Sequence, residues 1–133
     1  MKKNFSLLII GILCITFLSC SKNEDGKWDD NIKLSTKLVE FNSNENLTTI
    51  TTGTNSWWLD GIAFNGTQVD LQQINQTSQN FIVENPDFTV ERLNGNIIKI
   101  KMKENLTNAE RIMNIALQNG NYFDGIKVIQ KGN

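Results

Sequence analysis

Asn94-Gly95-Asn96-Ile97-Ile98-Lys99-Ile100-Lys101-Met102-Lys103 reads as a tight turn followed by a strand. Asn-Gly is favoured in type I′ hairpin turns, where both central residues need positive φ. Ile98, Ile100 and Met102 then alternate with Lys99, Lys101 and Lys103. A period of two places the apolar side chains on one face and the ammonium groups on the other, which is a half-buried strand. The lysines suit a solvated face and also guard a sheet edge against aggregation. The same alternation recurs on both sides of this stretch. Phe88 and Val90 alternate with Thr89 and Glu91 before it, and Met113, Ile115 and Leu117 repeat the pattern after it. Asn119-Gly120 is a second hairpin signal, and Ile126 and Val128 close the chain with Ile129 on the opposite face.

Nearer the N-terminus, Val39 and Phe41 flank Glu40, and Leu47 to Thr52 is a β-branched run closed by Gly53. Trp57 to Phe64 is apolar apart from Asp60 and Gly61. Asn108-Ala109-Glu110-Arg111 could open a helix, but no stretch keeps a helical period over three turns. Short strands with turn signals roughly every ten residues predict an all-β, immunoglobulin-like β-sandwich of about seven strands. Asn65 to Asn80 stands apart, rich in Asn, Gln and Thr, with Val69, Leu71 and Ile74 its apolar residues. It reads as a long excursion with one extra strand around Val69-Asp70-Leu71, and loops of that length tend to be functional or loosely ordered.

The first thirty residues have a different character. Lys2 and Lys3 precede an apolar run from Phe5 to Phe17, and Phe17-Leu18-Ser19-Cys20 has the form of a lipobox. The run is too short to span a bilayer and turns polar at once, so residues 1–19 read as a cleaved lipoprotein signal peptide. Cys20 is then the lipidated N-terminus and the membrane partner is reached through its acyl chains, each buried methylene adding about 0.8 kcal/mol. Residues 20–31 read as a flexible tether, and 32–133 as one domain of about 100 residues, enough for a single core. Ser21-Lys22-Asn23-Glu24-Asp25 resembles the surface-export tag of Bacteroidetes lipoproteins, which implies an outer-membrane, cell-surface location.

Cleavage removes Lys2 and Lys3 and no acids, leaving 11 basic residues against 14 acidic ones and a net charge near −3. That balance argues against a nucleic-acid partner. With Cys14 lost and Cys20 lipidated, no thiol remains for a disulfide or metal, and the chain has no histidine. Nucleophile–base pairs of the usual kinds are therefore missing, and a non-enzymatic role without cofactor is expected. Asp60, Asp70, Asp87 and Asp124 lack the compact spacing of a calcium loop, so no metal site is expected. Nothing in the sequence brings Asp60 and Asp124 together as an acid–base pair on a glycosidic bond.

Leu34-Ser35, Val39-Glu40-Phe41, the Thr-rich strand, Asn55-Ser56-Trp57, Asn105 with Arg111, and the ending Val128-Ile129-Gln130-Lys131-Gly132 together resemble a BACON domain (Bacteroidetes-associated carbohydrate-binding, often N-terminal). The resemblance runs from about Lys33 to Gly132. It departs at Asn44-Glu45-Asn46, where the family has a Gly-rich turn, at Phe88 in place of a second tryptophan, and in the Asn65–Asn80 insertion. It implies a sandwich in a surface glycan-handling protein, with Trp57 as a core residue. It transfers no binding residue.

The residues themselves nominate one binding face. Sugar rings stack on exposed aromatic side chains while their hydroxyls bond to amides and carboxylates. Trp57 and Trp58 are adjacent on a strand and so point to opposite faces. Trp57 is expected inward, and Trp58 outward with Asp60 beside it; Tyr122 near the Asn119-Gly120 turn would be a second platform. The plainer expectation is that Trp58 packs beneath the insertion. A second functional class is a structural spacer or protein-interaction lipoprotein that docks with an outer-membrane complex. Four Asn-Xaa-Thr sequons, at Asn46, Asn65, Asn75 and Asn105, follow from an Asn- and Thr-rich composition.

Overall fold

A computed structural model describes residues 29–133; the expected signal peptide, Cys20 and Trp28 lie outside them. The described chain is all-β, a sandwich of two sheets with an immunoglobulin-like layout. The strands are β1 (Leu38–Phe41), β2 (Asn46–Thr51), β3 (Trp58–Phe64), β4 (Thr67–Gln68), β5 (Phe81–Glu84), β6 (Phe88–Leu93), β7 (Ile97–Met102), β8 (Arg111–Asn119) and β9 (Tyr122–Gln130). One sheet has the order β1-β9-β8-β3-β4 and the other β2-β7-β6-β5. All pairings are antiparallel except that of β1 with β9, which is parallel.

The alternations read from the sequence form the core. Ile98, Ile100 and Met102 point inward from β7, and Met113, Ile115 and Leu117 from β8, into one buried core. Lys99 and Lys101 lie on the outer face, but β7 is an internal strand, so these lysines guard no edge. Phe64 and Phe88 tie the two sheets together, with ring centroids 5.1 Å apart. Among the described residues the strand count is nine rather than about seven. The added pair are β5, four residues whose alternation is hidden beside the Asn-rich segment, and β4, which forms at Thr67–Gln68 and not at Val69–Leu71. Asn65-Gly66 makes the β3–β4 turn with φ of 48° and 80°, the same left-handed pair that Asn94-Gly95 adopts at 51° and 79°. At Asn119-Gly120 the loop is shifted by one residue, to Gly120-Asn121, with positive φ only at Gly120, as a type II′ turn requires. Asn108 to Glu110 form no helix, and β8 starts at Arg111.

The insertion is well tied down. Val69, Leu71 and Ile74 pack against the core, and Gln76 bonds both backbone groups of Leu59, accepting at 3.1 Å and donating from its side chain at 3.0 Å. It thereby seals the side of β3 that two-residue β4 leaves open. Arg92, with no exposed surface, holds the insertion from within. Its Nε and Nη2 donate to the Gly95 carbonyl at 3.0 and 2.8 Å, Nη1 to Ser78 O at 2.9 Å and Nη2 to Asn55 O at 2.9 Å. The guanidinium also lies 3.6 Å from the Trp57 ring centroid, a cation–π contact. Burial lowers its pKa to about 10, which still leaves it charged at neutral pH. One buried cation therefore fastens the β6–β7 turn, the insertion and the entry to β3.

At the opposite end, Asn105 is fully buried. Its amide donates to Ala109 O at 2.8 Å and Lys131 O at 3.1 Å, and its carbonyl accepts from the Thr107 N–H and hydroxyl. Gln130 bridges Asn44 O and Lys103 O, both at 3.0 Å, and Arg111 pairs with Asp87 at 3.1 Å. Asn75 and Thr77 repeat the local bonding of Asn105 and Thr107. In both places the sequon pattern is an Asx-type turn.

Candidate ligand-binding face

Trp57 is 3 % exposed and donates its indole N–H to Thr52 Oγ1 at 3.0 Å, so the adjacent Trp58 is turned outward. Trp58 is half-buried on the outer face of the five-stranded sheet. A bulge follows: Leu59 pairs with Leu117, but Gly61 pairs with Ala116, which makes Asp60 the extra residue. Without it Ile62 would point to solvent; with it Ile62 enters the core and Asp60 stands exposed, without a partner across β8.

Strand register then sets three rows on this face. Trp58 pairs with Gln118, which pairs with Phe123; Gly61 pairs with Ala116 and Ala116 with Gly125; Ala63, Asn114, Lys127 and Leu38 form the third row. Strands about 4.8 Å apart put the Trp58 and Phe123 backbones roughly 9.6 Å from each other. Phe123 is 60 % exposed. The middle row has no side chain larger than a methyl group. It stays low for a steric reason: a Cβ on Gly125 would lie 2.8 Å from the Ile115 carbonyl oxygen. Beside it, Lys37, Asn114, Ala116, Asp124, Gly125 and Lys127 line an open depression of about 270 Å³.

Tyr122 does not share this face. It precedes Phe123, points to the other side of β9, and donates its hydroxyl to Asp124 Oδ2 at 3.3 Å. Asp124 also accepts from the Gly125 N–H at 2.9 Å and pairs with Lys37 at 2.7 Å, while Asp30 stands 3.6 Å from the same ammonium. Asp30 and Asn31, assigned to the tether, already bond to Ile32, Lys33 and Thr54. Of the expected site, Trp58 and Asp60 are neighbours and Tyr122 is displaced by Phe123. The signal for Phe123 was present: with Ile126 and Val128 inward, period two turns 123 outward.

The bond to Asp124 raises the Lys37 pKa, and burial followed by the Asp124 charge raises that of Tyr122. The lysine is favoured charged and the phenol neutral in the folded state. Both contributions are complete below the unfolded values and are lost as pH rises through the folded ones. The urea midpoint of the wild type should therefore exceed that of Lys37→Met at neutral pH, and the gap should close in strongly alkaline solution. A gap independent of pH would contradict the assignment.

No family model matches the chain, and no curated protein matches it. Among solved structures, the chain is similar to the NMR structure of a protein from Bacteroides thetaiotaomicron, with a TM-score of 0.63 and 19 % identity over 82 % of this chain and 93 % of that one. The likeness is one of fold alone. Titin domains M4 and M3 align at TM-scores of 0.46 and 0.44 with 7 % and 6 % identity, over 77 % of this chain and 91 % and 98 % of theirs.

Proposed function

We propose that the protein is a non-catalytic, lipid-anchored surface module that binds glycans on the outer face of its five-stranded sheet. The observation that carries this reading is the Trp58–Gln118–Phe123 row beside the low Gly61–Ala116–Gly125 floor. Sugars are amphipathic, with C–H groups on the ring faces and hydroxyls around the rim. An aromatic side chain supplies a flat apolar surface for the former. The Gln118 and Asn114 amides and the Asp60 carboxylate supply donors and acceptors for the latter. The floor lets a ring approach the sheet without meeting a side chain. The lipobox at Cys20 and the BACON resemblance support the same reading, since both fit a surface protein that handles polysaccharides.

Titration with a panel of plant, host and microbial polysaccharides tests it. The expected result is a saturable change in tryptophan fluorescence with one glycan class. Trp58→Ala should weaken binding at least about tenfold, equal to roughly 1.4 kcal/mol, with an unchanged circular dichroism spectrum. Unaltered binding by that variant would refute the platform.

A protein-docking role is the second reading, and a specific feature favours it. β5 pairs only with β6 among the described strands, and its exposed Ile82 faces a groove with Gln73, Ile74 and Glu84. An added strand from a membrane complex would satisfy that edge. Crosslinking in intact cells, followed by purification, would then recover a partner at Ile82.

A further inference from the structure

We infer that this face takes an uncharged polysaccharide, laid across the strands from Trp58 over Gln118 to Phe123 and long enough to touch both rings; the inference rests on the glycan reading above. Charge carries the first part. Around the face stand Lys37, Lys127 and Lys131 against Asp30, Glu40, Asp60 and the largely buried Asp124. Lys37 is already held by Asp124 and Asp30, and neither Glu40 nor Asp60 has a basic partner among the described residues. A polyanion would meet no net positive charge on this face, and a mature chain whose net charge is negative. Free carboxylates suit hydroxyl donors, which uncharged sugars carry in quantity.

Geometry carries the second part. One intervening strand separates the two aromatic positions, about 9.6 Å at the backbone, a span that linked sugar rings match better than a single ring. The depression by Gly125 is open to solvent and does not enclose a single ring. Binding strength must then come from several modest contacts made along one chain, which a polymer supplies and a monosaccharide does not. Gln118 lies between the two aromatic positions; its Nε2 donates to Gly120 O at 2.9 Å, which leaves its amide oxygen to accept from sugar hydroxyls.

The test uses the full chain, purified in detergent and run through native gels. The gels contain uncharged polymers (xylan, mannan, β-glucan) or polyanionic ones (pectate, chondroitin sulfate). The expected result is retardation by at least one uncharged polymer, unchanged by added salt. Trp58→Ala and Phe123→Ala should each weaken it at least about tenfold, and oligosaccharides of that polymer should compete where the monosaccharide does not. Retardation by polyanions alone, weakened by salt and dependent on Trp58, would overturn the uncharged-chain inference and leave the glycan reading standing. Competition by the monosaccharide as strong as by the oligomer would overturn the two-ring geometry. If no polymer retards the protein, or neither variant alters retardation, both the inference and the reading fall.

Discussion

Arg92→Ala is expected to lower the unfolding free energy by about 3–5 kcal/mol, the largest loss of any single substitution considered for this domain. Small domains hold only about 5–15 kcal/mol in total, so the variant should sit near the edge of folding. The substitution strips hydrogen bonds from three carbonyls, those of Asn55, Ser78 and Gly95, and leaves a void against Trp57. The buried Gly95 carbonyl left unpaired costs about 1–3 kcal/mol, and the part-buried Ser78 and Asn55 carbonyls less. Relief from holding a desolvated cation offsets part of this sum, which keeps the estimate below the simple total. Arg92→Lys should recover little, because an ammonium cannot reach carbonyls spread around a planar fork. Equilibrium urea denaturation measures both variants. A loss under about 1 kcal/mol for Arg92→Ala would mean that the insertion holds itself in place.

Asn105→Asp should be the second most damaging change, despite its nearly identical shape. The amide donates to the Ala109 and Lys131 carbonyls; a carboxylate there would turn oxygen toward oxygen with no solvent to intervene. A loss of about 2–4 kcal/mol at neutral pH follows from the missing bonds and the buried charge. The variant also carries its own signature. Burial and facing carbonyls raise the new carboxyl's folded pKa above its unfolded value. The neutral acid can donate, so stability is retained below the unfolded pKa and is lost as pH rises through the folded one. The deficit against wild type should thus shrink in acid. A deficit constant with pH would point to packing alone. Asn105→Ala, with no titrating group, gives that comparison.

These two side chains show where sequence reading stops. Period two in Ile98-Lys99-Ile100-Lys101-Met102 was enough to orient β7, because burial of alternate residues is a local rule. Trp57 and Trp58 were separable for the same reason. Arg92 was not legible: in Val90-Glu91-Arg92 it takes an inward position, where period two calls for an apolar residue. Only the convergence of three chain-distant carbonyls makes a cation tolerable there. Asp60 stands exposed beside Trp58 as its position suggests, but its bulge was not legible, since phase shifts depend on the partner strand. Phe81-Ile82-Val83-Glu84 escaped notice because four residues beside an Asn-rich segment give too little periodicity. Tyr122 is nominated by its place beside the Asn119-Gly120 turn, and Phe123, which parity turns outward, goes unread. Asn105 and Arg111 enter the sequence reading only through the resemblance; the bonds they make are visible only in the structure.

The parallel pairing of β1 with β9 has a mechanical consequence. Leu38 lies opposite Lys127 and Phe41 opposite Gln130, with Lys127 N–H bonded to Lys37 O at 2.8 Å and Lys131 N–H to Phe41 O at 3.0 Å. The chain enters at one end of this ribbon and leaves at the other. A pull between its two termini therefore runs along both strands in opposite directions, loading every rung in shear at the same moment instead of peeling them one by one. Forced rupture is governed by the barrier to that concerted break. Tension in this direction meets the strongest arrangement the ribbon can offer, and a domain tethered by its N-terminal segment while gripped near its C-terminus would act as a stiff link.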